Sequence, residues 1–368
     1  MKPIVRFRDL SVPEPARRAA LHDALDRICD HGEWILGKEV EEFETWIAAY
    51  CGKQHAVGVA SGTSALYLAL RAFGIHAGDE VVTTPMSWVA TGNAIRMAGA
   101  KPVFVDIKDD LNIDPTLIEN AITEHTRAIV PVHFTGLVCD MDEIRAIANR
   151  HRLLVIEDAA QAFGATFDGV PAGALGDAGA FSINPMKPFG GYGDSGAVLL
   201  DDNAAYEHLL ALRYLGTVDK EVCVNPELNH KMDSLQAAML LATRDFLDAS
   251  LIRRREIAQR YIAGLADVVQ CPQIPKIDPN RHIFFDFTIQ TDRRDALVEH
   301  LTKLGIEVKI KHPILIPDQP SYTGPEPVKL PVARNAVRQI LSLPIHEKLT
   351  DDQIDYVICQ IREFYGAA

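Results

Sequence analysis

Nowhere in its 368 residues does this chain carry an apolar run approaching the roughly 18 residues that a membrane helix needs. The N-terminal MKPIVRFRDL is not followed by the apolar core of a secretion signal, so neither anchoring nor export is expected. The six cysteines (Cys29, Cys51, Cys139, Cys223, Cys271, Cys359) show no CxxC or CxxxC spacing. That argues against zinc or iron–sulfur ligation, predicts no metal site, and fits a reducing compartment, the cytoplasm. Basic charge is also scarce, with 37 Lys and Arg against 50 Asp and Glu for a net charge of -13. Such a balance repels phosphate backbones, and nucleic acid is not an expected partner. The densest basic run, Arg253-Arg254-Arg255, lies in a helical pattern and reads as a solvated helix face.

With 48% hydrophobic and 24% charged residues, the chain can bury a sizeable core and still dissolve. Its length suggests about two domains. From Gln54 to Leu200 short apolar runs alternate with helical patterns: His55–Ala60, Glu80–Thr84, Pro102–Val105, Ala128–His133, Leu153–Glu157, Ala178–Ser182 and Gly196–Leu200. Runs of this kind, separated by stretches such as Ser64–Phe73 and Asp140–His151, predict an α/β fold with a mostly parallel sheet. The last two are joined by a Gly-rich loop too short for a helical crossover, which predicts an antiparallel neighbour. A long helical pattern, Met232 to about Ala266, follows. Beyond Pro272 come a strand-like His282–Gln290, a helix Asp292–Leu304, a strand Ile306–Ile310 and a final helix Asp351–Phe364. The expected division is residues 1–245, a large α/β domain with an N-terminal helical segment Glu14–Ile28, and residues 246–368, a smaller α+β domain.

Five features of the large domain carry candidate chemistry. Ala60-Ser61-Gly62-Thr63-Ser64 follows a strand and opens a helix, where free N–H groups and small side chains suit a phosphate, or equally an ordinary capped turn. Glu157-Asp158 ends a buried strand; Asp158 there either faces a ligand cation such as a protonated pyridine nitrogen or caps the next helix. Lys187, in Phe181-Ser182-Ile183-Asn184-Pro185-Met186-Lys187, sits in a Pro/Gly loop between two strands. It is either an exposed loop lysine or a desolvated amine of lowered pKa, suited to Schiff-base chemistry. Trp88, just past another strand, either stacks on a planar ring or fills the core. Asn229, ahead of the long helix, has capping as its ordinary role. Taken in order, phosphate cradle, ring stacker, acid and lysine are the parts that hold pyridoxal phosphate.

On these residues the sequence resembles the fold-type-I, pyridoxal-phosphate-dependent sugar aminotransferases of the DegT/DnrJ/EryC1/StrS family. The similarity runs from Gly37-Lys38-Glu39-Val40-Glu41-Glu42-Phe43-Glu44 through Glu157-Asp158-Ala159-Ala160-Gln161 and Phe181-Ser182 to Lys187, ending at Leu341-Ser342-Leu343-Pro344-Ile345-His346. The resemblance implies that Lys187 forms the Schiff base and moves the substrate proton. It implies that Asp158 keeps the pyridine nitrogen protonated, Gln161 bonds the ring hydroxyl and Trp88 stacks on the ring. Gly62, Thr63 and Ser182 would bind the phosphate, and Asn229 would reach the phosphate of the neighbouring subunit, which requires a homodimer with shared active sites.

The same resemblance implies transfer of an amino group from an amino acid, L-glutamate by expectation, to a nucleotide-linked keto-sugar in amino-sugar biosynthesis. The alternatives are a glutamine-dependent keto-cyclitol aminotransferase, a sugar dehydratase with the same cofactor, and a regulatory protein on the same fold. Lys187 weighs against the last two. Phe163, Lys231 and His312 stand where the family often has histidine, arginine and tyrosine. A lysine cannot grip a carboxylate with an arginine's fork, so donor recognition is expected to differ.

Overall fold

The computed structural model describes residues 4–275, 278–324 and 327–367, so the first three residues of MKPIVRFRDL lie outside it. The strands are β1 (His55–Val59), β2 (Glu80–Thr83), β3 (Lys101–Phe104), β4 (Thr126–Val130), β5 (Leu154–Asp158), β6 (Thr166–Phe167), β7 (Val170–Pro171), β8 (Ala178–Ser182), β9 (Gly196–Leu200), β10 (Thr217–Val218), β11 (Val222–Cys223), β12 (Phe287–Gln290) and β13 (Ile340–Leu343). The helices are α1 (Pro15–His31), α2 (Lys38–Cys51), α3 (Gly62–Ala72), α4 (Val89–Met97), α5 (Met141–His151), α6 (Asn203–Arg213), α7 (Ser234–Thr243), α8 (Leu247–Leu265), α9 (Arg294–Lys303), α10 (Pro331–Gln339) and α11 (Asp351–Tyr365).

Seven strands form one sheet in the order β1-β9-β8-β5-β4-β2-β3. Neighbours from β8 to β3 run parallel, whereas β9 is antiparallel to both β1 and β8, as the short Gly-rich connection requires. Alternate residues of each strand go to opposite faces. Val82, Ile129 and Val155 pack with α2 and α5, while Val81, Val130 and Ile156 pack with α3, α4 and α6. A sheet covered on both faces explains why its strands read as unbroken apolar runs. A separate core joins α8, α9, α11, β12 and β13 through Tyr261, Leu297, Phe287, Leu341 and Val357.

Four expectations from the sequence need correction. The single long helix from Met232 to Ala266 is two, α7 and α8, separated by a 3-10 turn at Arg244–Phe246. Thr243 breaks it: its Oγ1 donates back to the Met239 carbonyl at 2.9 Å, a competing bond that bends helices. The run His282–Gln290 pairs only from Phe287 on, because Phe284 adopts a left-handed φ of 52°. Ile306–Ile310 builds no strand, since Ile306 bridges Val5 and Lys309 bridges Ser342, two different partners. Arg254 does not belong to a solvated face: it is 4% exposed and donates to the Ile345 carbonyl at 3.1 Å. Helix α1, unplaced by sequence, seats Ala24 and Ile28 on Ala238 of α7. No described helix is long and apolar enough to cross a membrane.

Candidate active site

The carboxyl ends of β5 and β8 lie side by side, Asp158 opposite Ala180, and a ligand crevice is expected at such an edge. The two acids that end β5 part company there. Glu157, fully buried, accepts from the backbone N–H groups of Gly173, Leu175 and Gly176 at 2.7–2.8 Å and pairs with His133 Nε2 at 2.8 Å. Because His133 Nδ1 accepts from Cys139 N (3.2 Å), its proton sits on Nε2 and is donated to Glu157. Glu157 thus fixes the loop before β8. Asp158 faces the crevice, where Oδ2 accepts from Thr91 Oγ1 at 2.7 Å and Oδ1 makes only a 3.3 Å contact with Ala160 N.

Lys187 follows β8 in a turn tied by its own N–H to the Asn184 carbonyl (2.8 Å) and by Gly191 N to the Ile183 carbonyl (2.8 Å). The loop is half-buried, but the amine is enclosed. Burial pushes the Lys187 pKa down to about 8, Asp158 pulling it up and Lys311 pressing it further down. The exposed-loop reading of this lysine therefore fails. Gly62 and Ser182 are in direct contact: a Cβ on Gly62 would lie 2.3 Å from the Ser182 Cβ. That contact closes the N-terminus of α3 onto the end of β8. Ser61 caps α3 by accepting from Ser64 N at 3.1 Å, and Thr63 is exposed beside it.

Gln161, 5% exposed, spends its Oε1 on Thr135 N at 3.0 Å. Trp88 is 64% exposed at the start of α4, so it is not core filling, and its ring lies 6.2 Å from that of His312. Burial and the Lys311 charge push the His312 pKa down to about 4, which keeps the ring neutral. Asn229 caps no helix, since the N-cap of α7 is Asp233. Its Oδ1 instead accepts from Lys231 N at 3.2 Å, and the side chain is exposed, apart from the others. Lys231 Nζ lies over the Tyr214 ring at 4.1 Å. Phe163 belongs to an aromatic stack with Tyr50 and Phe189 behind the crevice.

The structure therefore brings Asp158, Lys187, Gln161 and the Gly62–Ser182 contact to the carboxyl end of the sheet, with Trp88 near His312, and leaves Asn229 outside. It also adds residues that sequence reasoning missed. Arg8, Asp286 and Lys311 meet at Phe285 next to Lys187. The one available signal was Asp286, a lone charge inside the apolar run Ile283-Phe284-Phe285-Asp286-Phe287.

Residues 15–362 match the model of the DegT/DnrJ/EryC1/StrS aminotransferase family. The chain is 41% identical over 368 residues to dTDP-3-amino-3,4,6-trideoxy-alpha-D-glucose transaminase of Streptomyces venezuelae, covering 98% of this chain and 96% of that one. It is 38% identical to a pleiotropic regulatory protein of Geobacillus stearothermophilus, at 98% coverage of each. The crystal structure of S. venezuelae DesV superposes with a TM-score of 0.94 at 40% identity, covering 99% of both chains. That of ntda from Bacillus subtilis with bound cofactor PMP gives 0.89 at 30% identity, covering 98% of this chain and 87% of that one.

Proposed function

The chain belongs to the DegT/DnrJ/EryC1/StrS aminotransferase family, and from that membership we propose that it moves an amino group from an amino acid, L-glutamate, to a keto group of a nucleotide-linked sugar. It is a pyridoxal-phosphate-dependent aminotransferase of α/β fold. The observation that carries the proposal is the Lys187 amine, 4.8 Å from the Phe285 ring centroid, enclosed at the carboxyl end of the sheet and within the field of Asp158. The nucleotide-sugar acceptor rests on the transaminase relatives. The reaction balances as an exchange, the donor leaving as its 2-oxo acid and the keto-sugar as an amino sugar.

The residues fit the cofactor. With Ser64 N and Ala65 N spent on Ser61, the N–H groups of Gly62 and Thr63 are the ones that would hold a phosphate, and any larger residue at 62 would crowd Ser182 beside that cradle. Pyridoxal phosphate supplies an electron sink that accepts the amino group from one substrate and gives it to the next. Lys187 Nζ, which releases its own proton from about pH 8 upward, would take the proton from the donor's α-carbon. Asp158 keeps one oxygen weakly engaged, and that oxygen would hold the protonated ring nitrogen. Gln161, its carbonyl spent on Thr135, has its amide N–H2 to donate to the ring hydroxyl. Trp88 presents an exposed face for stacking, and Asn229 serves the partner subunit of a homodimer.

The divisions 1–245 and 246–368 carry over into this proposal, supported by the break at Arg244–Phe246 and by the separate C-terminal core. The cytoplasm is the proposed location.

The near-visible spectrum of the purified protein, before and after glutamate or glutamine, tests the reading. A yellow cofactor band that glutamate bleaches, absent in Lys187→Ala, is the expected result. Bleaching by glutamine alone, with product formed only from a keto-cyclitol, would replace both substrates. No band after adding pyridoxal phosphate would favour a regulatory role.

A further inference from the structure

Two cations and the reactive lysine crowd one aromatic ring. The Arg8 guanidinium carbon, Lys311 Nζ and Lys187 Nζ lie 4.4, 4.5 and 4.8 Å from the centroid of Phe285. A single carboxylate serves two of them: Asp286, 2% exposed, accepts from Arg8 Nη2 at 2.7 Å and from Lys311 Nζ at 2.5 Å. Asp286 is held below the usual carboxylate range by Lys311 and Arg8 against its burial. The next cation, Arg254, has its own partner in Glu347 at 3.7 Å. Two fixed positive charges therefore share one negative charge, and one positive charge is left over in a buried place.

The excess has donors to spend. The Arg8 side chain is 7% exposed, and its Nε has no hydrogen-bond partner among the described residues. Arg8 and Lys187 also line a common cavity of ≈ 270 Å³, and Lys311 stands outside its wall, against the Phe285 ring. An unpaired buried cation is costly, so a fold that keeps one is poised for an anion. The anion must arrive where Lys187 handles an amine. An α-amino acid brings both groups at once, because its carboxylate and its amine are bonded to the same carbon.

We infer that Arg8 and Lys311, clamped by Asp286 across the face of Phe285, form the site that recognises the carboxylate of the amino donor. The inference rests on the aminotransferase reading of Lys187. It supplies the carboxylate grip that Lys231, with its ammonium lodged on Tyr214, does not. Asp286 acts as a positioning residue: it fixes both cations and touches no substrate.

The test uses the cofactor-loaded protein and 2-oxoglutarate, the 2-oxo acid of glutamate, titrated by calorimetry, beside the donor dependence of band bleaching in rapid mixing. Lys311→Met should weaken both about tenfold or more, the loss expected of one charged hydrogen bond, and Lys311→Arg should recover most of it. Lys311→Gln removes the charge while keeping a donor for Asp286, which Arg8 still pairs, and serves should the methionine variant unfold. Thymidine diphosphate, titrated in parallel, reports on the sugar-nucleotide side. Unchanged 2-oxoglutarate affinity in every folded variant overturns the inference, as does an equal loss for thymidine diphosphate. So does a mere shift in the pH titration of the cofactor band with donor affinity intact. A wild-type protein with no cofactor band at all instead refutes the aminotransferase reading beneath it.

Discussion

An ordinary lysine holds its proton to a pKa of 10.5, and Lys187 lets go at about 8 because its amine is enclosed. The free amine is the form that attacks a carbonyl, so the rate at which apoprotein takes up pyridoxal phosphate should climb with pH through about 8 and level off above it. Stopped-flow absorbance across pH 6–10.5 checks this; a midpoint near 10 would show that the amine is solvated. The same shift bears on stability. Between about 8 and 10.5 the unfolded chain binds the proton that the folded Lys187 has released, so this lysine's contribution to stability rises with pH across that window, while the buried thiols of Cys51 and Cys139, with raised pKa values, act the other way. At this scale the motifs of the site were legible, since Asp158, Gln161 and Lys187 each lie in a short stretch of sequence. Arg8, Asp286 and Lys311 were not. Their meeting spans 278 residues between Arg8 and Asp286, and no periodicity records a contact made only by folding.

Elements position these residues through close backbone approach. Helix α3 can begin against β8 only because position 62 has no side chain: an alanine Cβ would sit 2.3 Å from the Ser182 Cβ and 2.7 Å from its Cα. Gly62→Ala should push the start of α3 off β8, costing roughly 1–3 kcal/mol of stability as an overpacked site does. Cofactor affinity should fall with it. Thermal melts with and without pyridoxal phosphate measure both, and an unchanged melt would mean that α3 has room to shift. The sheet was legible because both of its faces are covered and its strands are continuous apolar runs. Element ends were less so. The break between α7 and α8 comes from the Thr243 back-bond to Met239, in a stretch with neither proline nor glycine to announce it. The strand-like Ile306–Ile310 has the right residues, but its bridges go to Val5 and Ser342 in turn. Pairing partners, not composition, decide whether such a run becomes a strand.

One chain leaves a surface that looks unfinished. On the β10–β11 hairpin Val218 pairs with Val222, and both are exposed together with Val224 and Leu228. Exposed apolar side chains along one surface segment, 218–228, suit a protein interface, and Asn229 follows directly. In the proposed homodimer this segment would carry Asn229 to the neighbouring phosphate cradle, which would couple assembly to cofactor retention. Sedimentation should give twice the chain mass of 40.6 kDa. Val222→Asp with Val224→Asp should release monomers by placing charge in the contact, and those monomers should lose cofactor at concentrations where the dimer keeps it. Asn229→Ala should stay dimeric yet bind cofactor about tenfold more weakly, the loss of one hydrogen bond to a charged phosphate. The three species separate the roles: monomers that hold the cofactor as tightly as the dimer would return Asn229 to a simple turn residue and make each active site the work of one chain.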